Sequence, residues 1–87
     1  MEVNPMDVKE HLISETKKWL EKIKAERENI TLADSQRPDF LDNIDAYISD
    51  SEFFLEHEEY IEAFEAVIWA WAYVEIGKEL GVIGKKE

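Results

Sequence analysis

"YISDSEFFLEHEEYIEAFEAVIWAWAYV", Tyr47 to Val74, holds two apolar repeats of helical period with a polar break between them. Before the break, Tyr47, Ile48, Ser51, Phe54 and Leu55 recur at the three- and four-residue steps that one face of an α-helix requires. After it, Tyr60, Ala63, Phe64, Val67, Ala70, Trp71 and Val74 do the same. His57, Glu58 and Glu59 leave room only for a turn between antiparallel neighbours, so the stretch reads as a helical hairpin. Working outward, Phe40, Leu41 and Ile44 carry the first apolar face back toward Pro38, with Asp42, Asp45, Glu52 and Glu56 opposite. Pro38 suits a first helical turn, and Asp39 and Asp42 complement the positive end of the helix dipole. Ser35 or Asp34 is expected to cap this helix. The next helix runs on to Leu80, where Gly81 and Gly84 stop it.

Upstream, Val8, Leu12, Thr16, Trp19, Ile23 and Ile30 share one stripe, with Ile13 and Leu20 at its edge and lysines and glutamates elsewhere. The expected architecture is all-α: an antiparallel three-helix bundle, up-down-up, one domain over residues 1–87. Its helices are expected over about 7–29, 38–56 and 60–80. No stretch alternates with period two for long enough to read as a strand.

The third helix has more grease than a three-helix core needs. Trp69, Tyr73, Ile76 and Leu80 form a second stripe, and Glu62, Glu65, Glu75, Lys78 and Glu79 are too few to cover it. An uncovered apolar strip with two aromatics marks an interface. The plainer alternative is that the first helix, or the tails Met1–Met6 and Val82–Ile83, fold over it. Phe53 is a second anomaly: it points toward the acidic side of the middle helix, where it either folds over the turn near Tyr60 or stands out as an anchor.

Composition narrows the function classes. The chain carries a formal charge of −11 and no cysteine, so it has no disulfide and no thiolate metal site. Residues 31–66 hold eleven acids against one base, Arg37, which gives −10, while the segments 7–28 and 67–87 are each balanced. Such an acidic middle repels phosphate backbones, so no nucleic acid is expected to be contacted directly. The start of the chain lacks a basic segment followed by an apolar run, and the longest mostly apolar run, Ala66–Val74, is too short for a bilayer. A cytoplasmic protein without membrane contact is the expectation.

Signatures of chemistry are sparse. Asp7, His11 and Glu15 line up on one face of the first helix, but lysines surround them and a salt-bridged surface accounts for them. No acid precedes either histidine at the spacing a di-iron bundle requires, since Val8 and Phe54 occupy those positions. Ser14, Ser35, Ser49 and Ser51 lack an adjacent base; Ser51, alone on an apolar stripe, reads as a small residue permitting close packing. Gly81–Lys86 resembles a GXXG nucleic-acid clamp but lies at the chain's end, so it reads as a helix stop with a frayed basic tail. No catalytic, cofactor-binding or metal-ligating residue is assigned, and no cofactor is expected.

Two resemblances stand beside these readings. Tyr47, Ser51, Phe54, Ala63, Val67 and Ala70 fall at the spacings of a tetratricopeptide hairpin, although a single copy builds no array. Over Ile30–Gly81 the sequence resembles the short archaeal proteins grouped as domain-of-unknown-function family 357. That likeness rests on Asp39–Phe40, Tyr47 with Asp50, Phe54–Leu55, and Tyr60 followed by Ala63-Phe64-Glu65-Ala66 and Ala70. The family pattern has a Gly-Asp pair at the turn where this chain has Glu58–Glu59, and Glu tolerates a left-handed backbone poorly. The resemblance implies a small helical bundle and an archaeal cytoplasmic setting. It brings no established activity and therefore no catalytic residues.

The resulting expectation is a non-enzymatic, acidic interaction module that binds through Trp69, Tyr73, Ile76 and Leu80. The simplest partner is a second copy, because self-complementary helix faces close into two-fold dimers. The alternatives are an adaptor for a basic protein, attracted by the acidic middle helix and anchored by Phe53, and a metal-dependent or hydrolytic enzyme using surface or buried carboxylates.

Overall fold

The computed structural model describes residues 5–86, with side chains from Val8 onward. Its elements are α1 (Pro5–Glu28), β1 (Ile30–Leu32), α2 (Asp39–Glu56), α3 (Tyr60–Glu79) and β2 (Ile83–Lys85). The three helices are those the apolar periods predict.

Contacts between elements fix their directions. Lys9 lies over the Tyr60 ring, Trp71 Nε1 donates to the Trp19 carbonyl at 3.3 Å, and Lys78 donates to Glu26 at 3.2 Å. The partners are 51, 52 and 52 residues apart, a constant offset that only parallel helices give, so α1 and α3 run the same way. Against α2 the pairing reverses: Arg27 grips Asp45 with two hydrogen bonds of 2.6 and 3.1 Å, and Lys24 pairs with Glu52. The bundle is therefore up-down-up. Helix α3 is its middle member, packed most extensively on α2 and less on α1.

Small residues bring α2 and α3 close. Ala63, Ala66 and Gly77 are buried on α3, and Ser51 Oγ donates to the Ala63 carbonyl at 2.7 Å. Ser51 is thus more than a packing allowance: it is a buried tie between the helices, absorbing the polar atom that would otherwise cost stability there. A Cβ at Gly77 would lie 2.9 Å from Ile83 and 3.1 Å from Phe40, so only glycine allows those side chains to settle there. The core is filled by Ile23, Ile44, Ile48, Val67 and Val74, with Thr16 hydrogen-bonded to the Leu12 carbonyl at 2.8 Å. Val8, the first residue of the predicted α1 stripe, is exposed.

Three local expectations need correction. First, β1 and β2 pair antiparallel, Ile30 opposite Lys85 and Leu32 opposite Ile83. Gly81, at φ 73°, reverses the chain after α3: the Val82 N–H donates to the Gly77 carbonyl and the Gly81 N–H to that of Lys78, a complete Schellman motif. The Val82 carbonyl then accepts from Ala33 and Asp34. The tail is not frayed, because burying Val82 and Ile83 closes the end of the core. Second, neither Ser35 nor Asp34 caps α2; Pro38 already has helical φ and ψ, and Asp34 Oδ1 accepts instead from the Gln36 N–H at 2.9 Å. Third, Glu58 takes up the left-handed conformation that its side chain disfavours, at φ 59°. The Glu59 N–H reaches the Phe54 carbonyl and the Glu58 N–H that of Leu55, so the α2–α3 turn is a second Schellman motif with glutamate in the glycine position.

The principal extents are 49 × 27 × 18 Å and the radius of gyration is 14.7 Å. A compact chain of this length has a radius near 12 Å, so the bundle is elongated and has much surface for its core.

Candidate interaction surface

Helix α3 has two sides of different character. Its buried arc runs through Ala63, Ala66, Val67, Ala70, Val74 and Gly77. Trp71, on the α1 side of that arc, meets Trp19 edge-on with ring centroids 5.9 Å apart. On the outer side, Trp69 is 56% exposed, Ile76 48% and Leu80 62%. Ile61 and Ile68, which the stripe reading missed, are 65% and 43% exposed and widen the strip toward α1. Their signal was present in the sequence, since α3 is apolar nearly all round and no placement of three helices can bury every side of one of them.

Tyr73 departs from expectation. It is half-buried, edge-on to Phe40 at 5.5 Å and tilted against Tyr47 at 5.7 Å. At 100° per residue it stands about 20° from Ala66 and 40° from Gly77, near enough to lean on α2, whereas Trp69 lies a further 40° round. Trp69 still touches α2 by stacking on Tyr47, with centroids 6.3 Å apart and planes inclined at 21°. The strip is thus Trp69, Ile76, Leu80, Ile61 and Ile68, bounded on the α2 side by Tyr73. Val82 and Ile83 do not cover it; they pack at the end of the core beside Gly77 and Phe40. Residues 1–4 and the side chains of Pro5, Met6 and Asp7 lie outside the described residues, and with them the proposed Met1–Met6 cover.

Phe53 is exposed on the outer side of α2 and folds onto the turn at His57, the two rings stacked 4.1 Å apart. His57 Nδ1 donates to the Phe53 carbonyl at 2.8 Å, which assigns that nitrogen its proton. The Phe53 ring also meets that of Phe54 edge-on at 5.8 Å, so its ring contacts are with α2 and the turn.

Two hollows border α3. A shallow one of about 260 Å³ lies between α2 and α3, lined by Tyr47, Asp50, Phe54, Glu62, Glu65 and Trp69. An open groove of about 500 Å³ at the turn end is lined by Val8, Leu12, Tyr60 and Ile61, with Lys9, Glu58, Glu59 and Glu62 around it.

The charged groups that depart from ordinary titration do so through surface ion pairs. The Arg37 guanidinium, bound through two 3.0 Å hydrogen bonds, holds the Asp39 carboxyl below its usual range. Lys18 does the same for Glu15, so Glu15 of the Asp7–His11–Glu15 row is engaged in a salt bridge of 2.9 Å. Hydrogen bonding to Asp45 and to Glu52 raises Arg27 and Lys24. Among the described residues, no group of three His, Asp or Glu side chains is placed to hold a metal ion. No helix among them is long and apolar enough to cross a membrane.

Residues 12–83 match the family model described as a protein of unknown function (DUF357). The chain belongs to this family. The DUF357 match extends beyond the segment that carries the sequence resemblance, taking in most of α1 and the core-closing Val82 and Ile83. A DUF357 protein from Archaeoglobus fulgidus, known from its crystal structure, is 46% identical, superposes with a TM-score of 0.82, and aligns over 91% of this chain and 99% of its own. None of the curated proteins matches.

Proposed function

We propose that the chain is a non-catalytic interaction module of the cytoplasm and that the outer face of α3 binds a protein partner. The observation that supports this is the exposure of Trp69, Ile76, Leu80, Ile61 and Ile68 on a helix whose other side already supplies the core. These five side chains are about half exposed, so each forgoes about half of the 1.5–3 kcal/mol that full burial is worth, and association recovers part of that. The enzyme alternative has less to stand on: the acids of α2 lie at the surface, and the sole buried serine is committed to the Ala63 carbonyl.

The test is a double substitution, Trp69→Glu with Ile76→Lys, read by circular dichroism. The expected variant keeps its helical signal and melts cooperatively within about 4 °C of the wild type, as surface changes do in a small domain. A variant that loses cooperative melting would make the strip part of the core and overturn the reading.

A further inference from the structure

We propose that the hollow between α2 and α3 receives a lysine or arginine side chain, and that the partner of the α3 face is accordingly a basic amphipathic helix. This rests on the α3-face reading and adds the partner's chemistry.

Trp69 and Tyr47 stack along the hollow and Phe54 extends its wall, so π-faces and ring edges meet solvent in one concavity. Aromatic faces attract cations, indole most strongly. Cations of this protein already lie over three other rings: Lys22 sits 4.6 Å from the Trp19 centroid, Arg37 4.9 Å from Phe40, and Lys9 5.5 Å from Tyr60. Among the described residues no cation of the chain lies over Trp69 or Tyr47.

Charge points the same way. Asp50, Glu62 and Glu65 line this hollow, and none of them joins an ion pair among the described residues. The strip that continues from it is interrupted by Glu75 and Glu79, and the one base on this helix, Lys78, is held by Glu26. Two copies meeting face to face would set carboxylates against carboxylates, whereas a helix with Lys or Arg flanking an apolar row would satisfy both features. Its apolar row covers Ile76 and Leu80, and one cation enters the hollow over the indole of Trp69.

The probe is an amphipathic Leu/Lys peptide of about five turns, titrated into the ¹⁵N-labelled full chain, with a Leu/Glu peptide of the same pattern as control. The expected result is perturbation of the Trp69 indole N–H and of the Tyr47, Glu62 and Glu65 amides by the Leu/Lys peptide alone. Its affinity should fall about tenfold with Trp69→Ala, and again with Asp50→Asn, Glu62→Gln and Glu65→Gln together. Removing three charges elsewhere, by Glu10→Gln, Glu28→Gln and Asp42→Asn, should cost much less. Equal losses from the two triple variants, or perturbation centred on another face, would mean bulk attraction and overturn the proposal. Binding of both peptides alike, or a Trp69-dependent rise in mass with concentration of the protein alone, would overturn it while leaving the α3 face an interface. That interface reading fails separately, if the Trp69→Glu, Ile76→Lys variant unfolds.

Discussion

Glu58 shows how far a single residue departs from its own preference when both flanking helices hold it. Two hydrogen bonds close the turn around it, and the left-handed backbone at φ 59° costs about 1–2 kcal/mol for a residue with a Cβ. Glu58→Gly is therefore expected to stabilise the protein by about 1 kcal/mol, after allowing for glycine's greater entropy when unfolded. Urea unfolding measures this directly, and an unchanged or lower midpoint would mean that the turn relaxes elsewhere. The sequence shows that a turn must lie at His57–Glu59; it does not show the Schellman geometry, because glutamate is the wrong signal for it. Ser51 illustrates the same limit. Its small size is legible on an apolar stripe, but its bond to the Ala63 carbonyl depends on the register of α2 against α3, which periodicity leaves open.

At the scale of elements, the helices are legible because each presents a sustained apolar period, and their antiparallel order follows from the short break at His57–Glu59. The β1–β2 ribbon is not legible. Three residues per strand are too few to show alternation, and Val82 and Ile83 look like a tail until Gly81 turns them back onto the core. Ile83→Ala is expected to cost about 3 kcal/mol, as a buried truncation does. A free tail would give no change in the urea midpoint, so that result would contradict the ribbon. The placement of Tyr73 was beyond periodicity for a related reason. A helical wheel gives angles, but the width of the buried arc depends on how closely the small residues Ala63, Ala66 and Gly77 let α2 approach.

For the whole molecule, elongation and charge act together. A net charge of −11 on a slender bundle repels itself, and the ion pairs between helices offset only part of this. At neutral pH, raising salt from about 10 to 300 mM is expected to increase the melting temperature by a few degrees, because screening relieves the repulsion. The gain should shrink toward pH 4.5, where the charges balance. A falling melting temperature in salt would mean that the ion pairs outweigh the repulsion. Acid acts separately on Asp39 and Glu15. Their carboxyls are lowered in the folded state, so each pair's stabilisation is complete above the unfolded values of 3.8 and 4.5 and is lost as pH falls through the lower folded values. Both lie at the surface, so the loss is small.

Helix α3 turns one side to the core and leaves the other exposed, and Trp69 and Trp71 test that division from two positions apart on the same helix. Equilibrium urea unfolding of Trp69→Ala and Trp71→Ala compares them directly. The structure predicts a loss of about 3 kcal/mol for Trp71→Ala, which removes the contact with Trp19 and the hydrogen bond to its carbonyl, and less than about 1 kcal/mol for Trp69→Ala. Equal losses, or a larger one for Trp69, would show that the outer strip belongs to the core and would contradict the account.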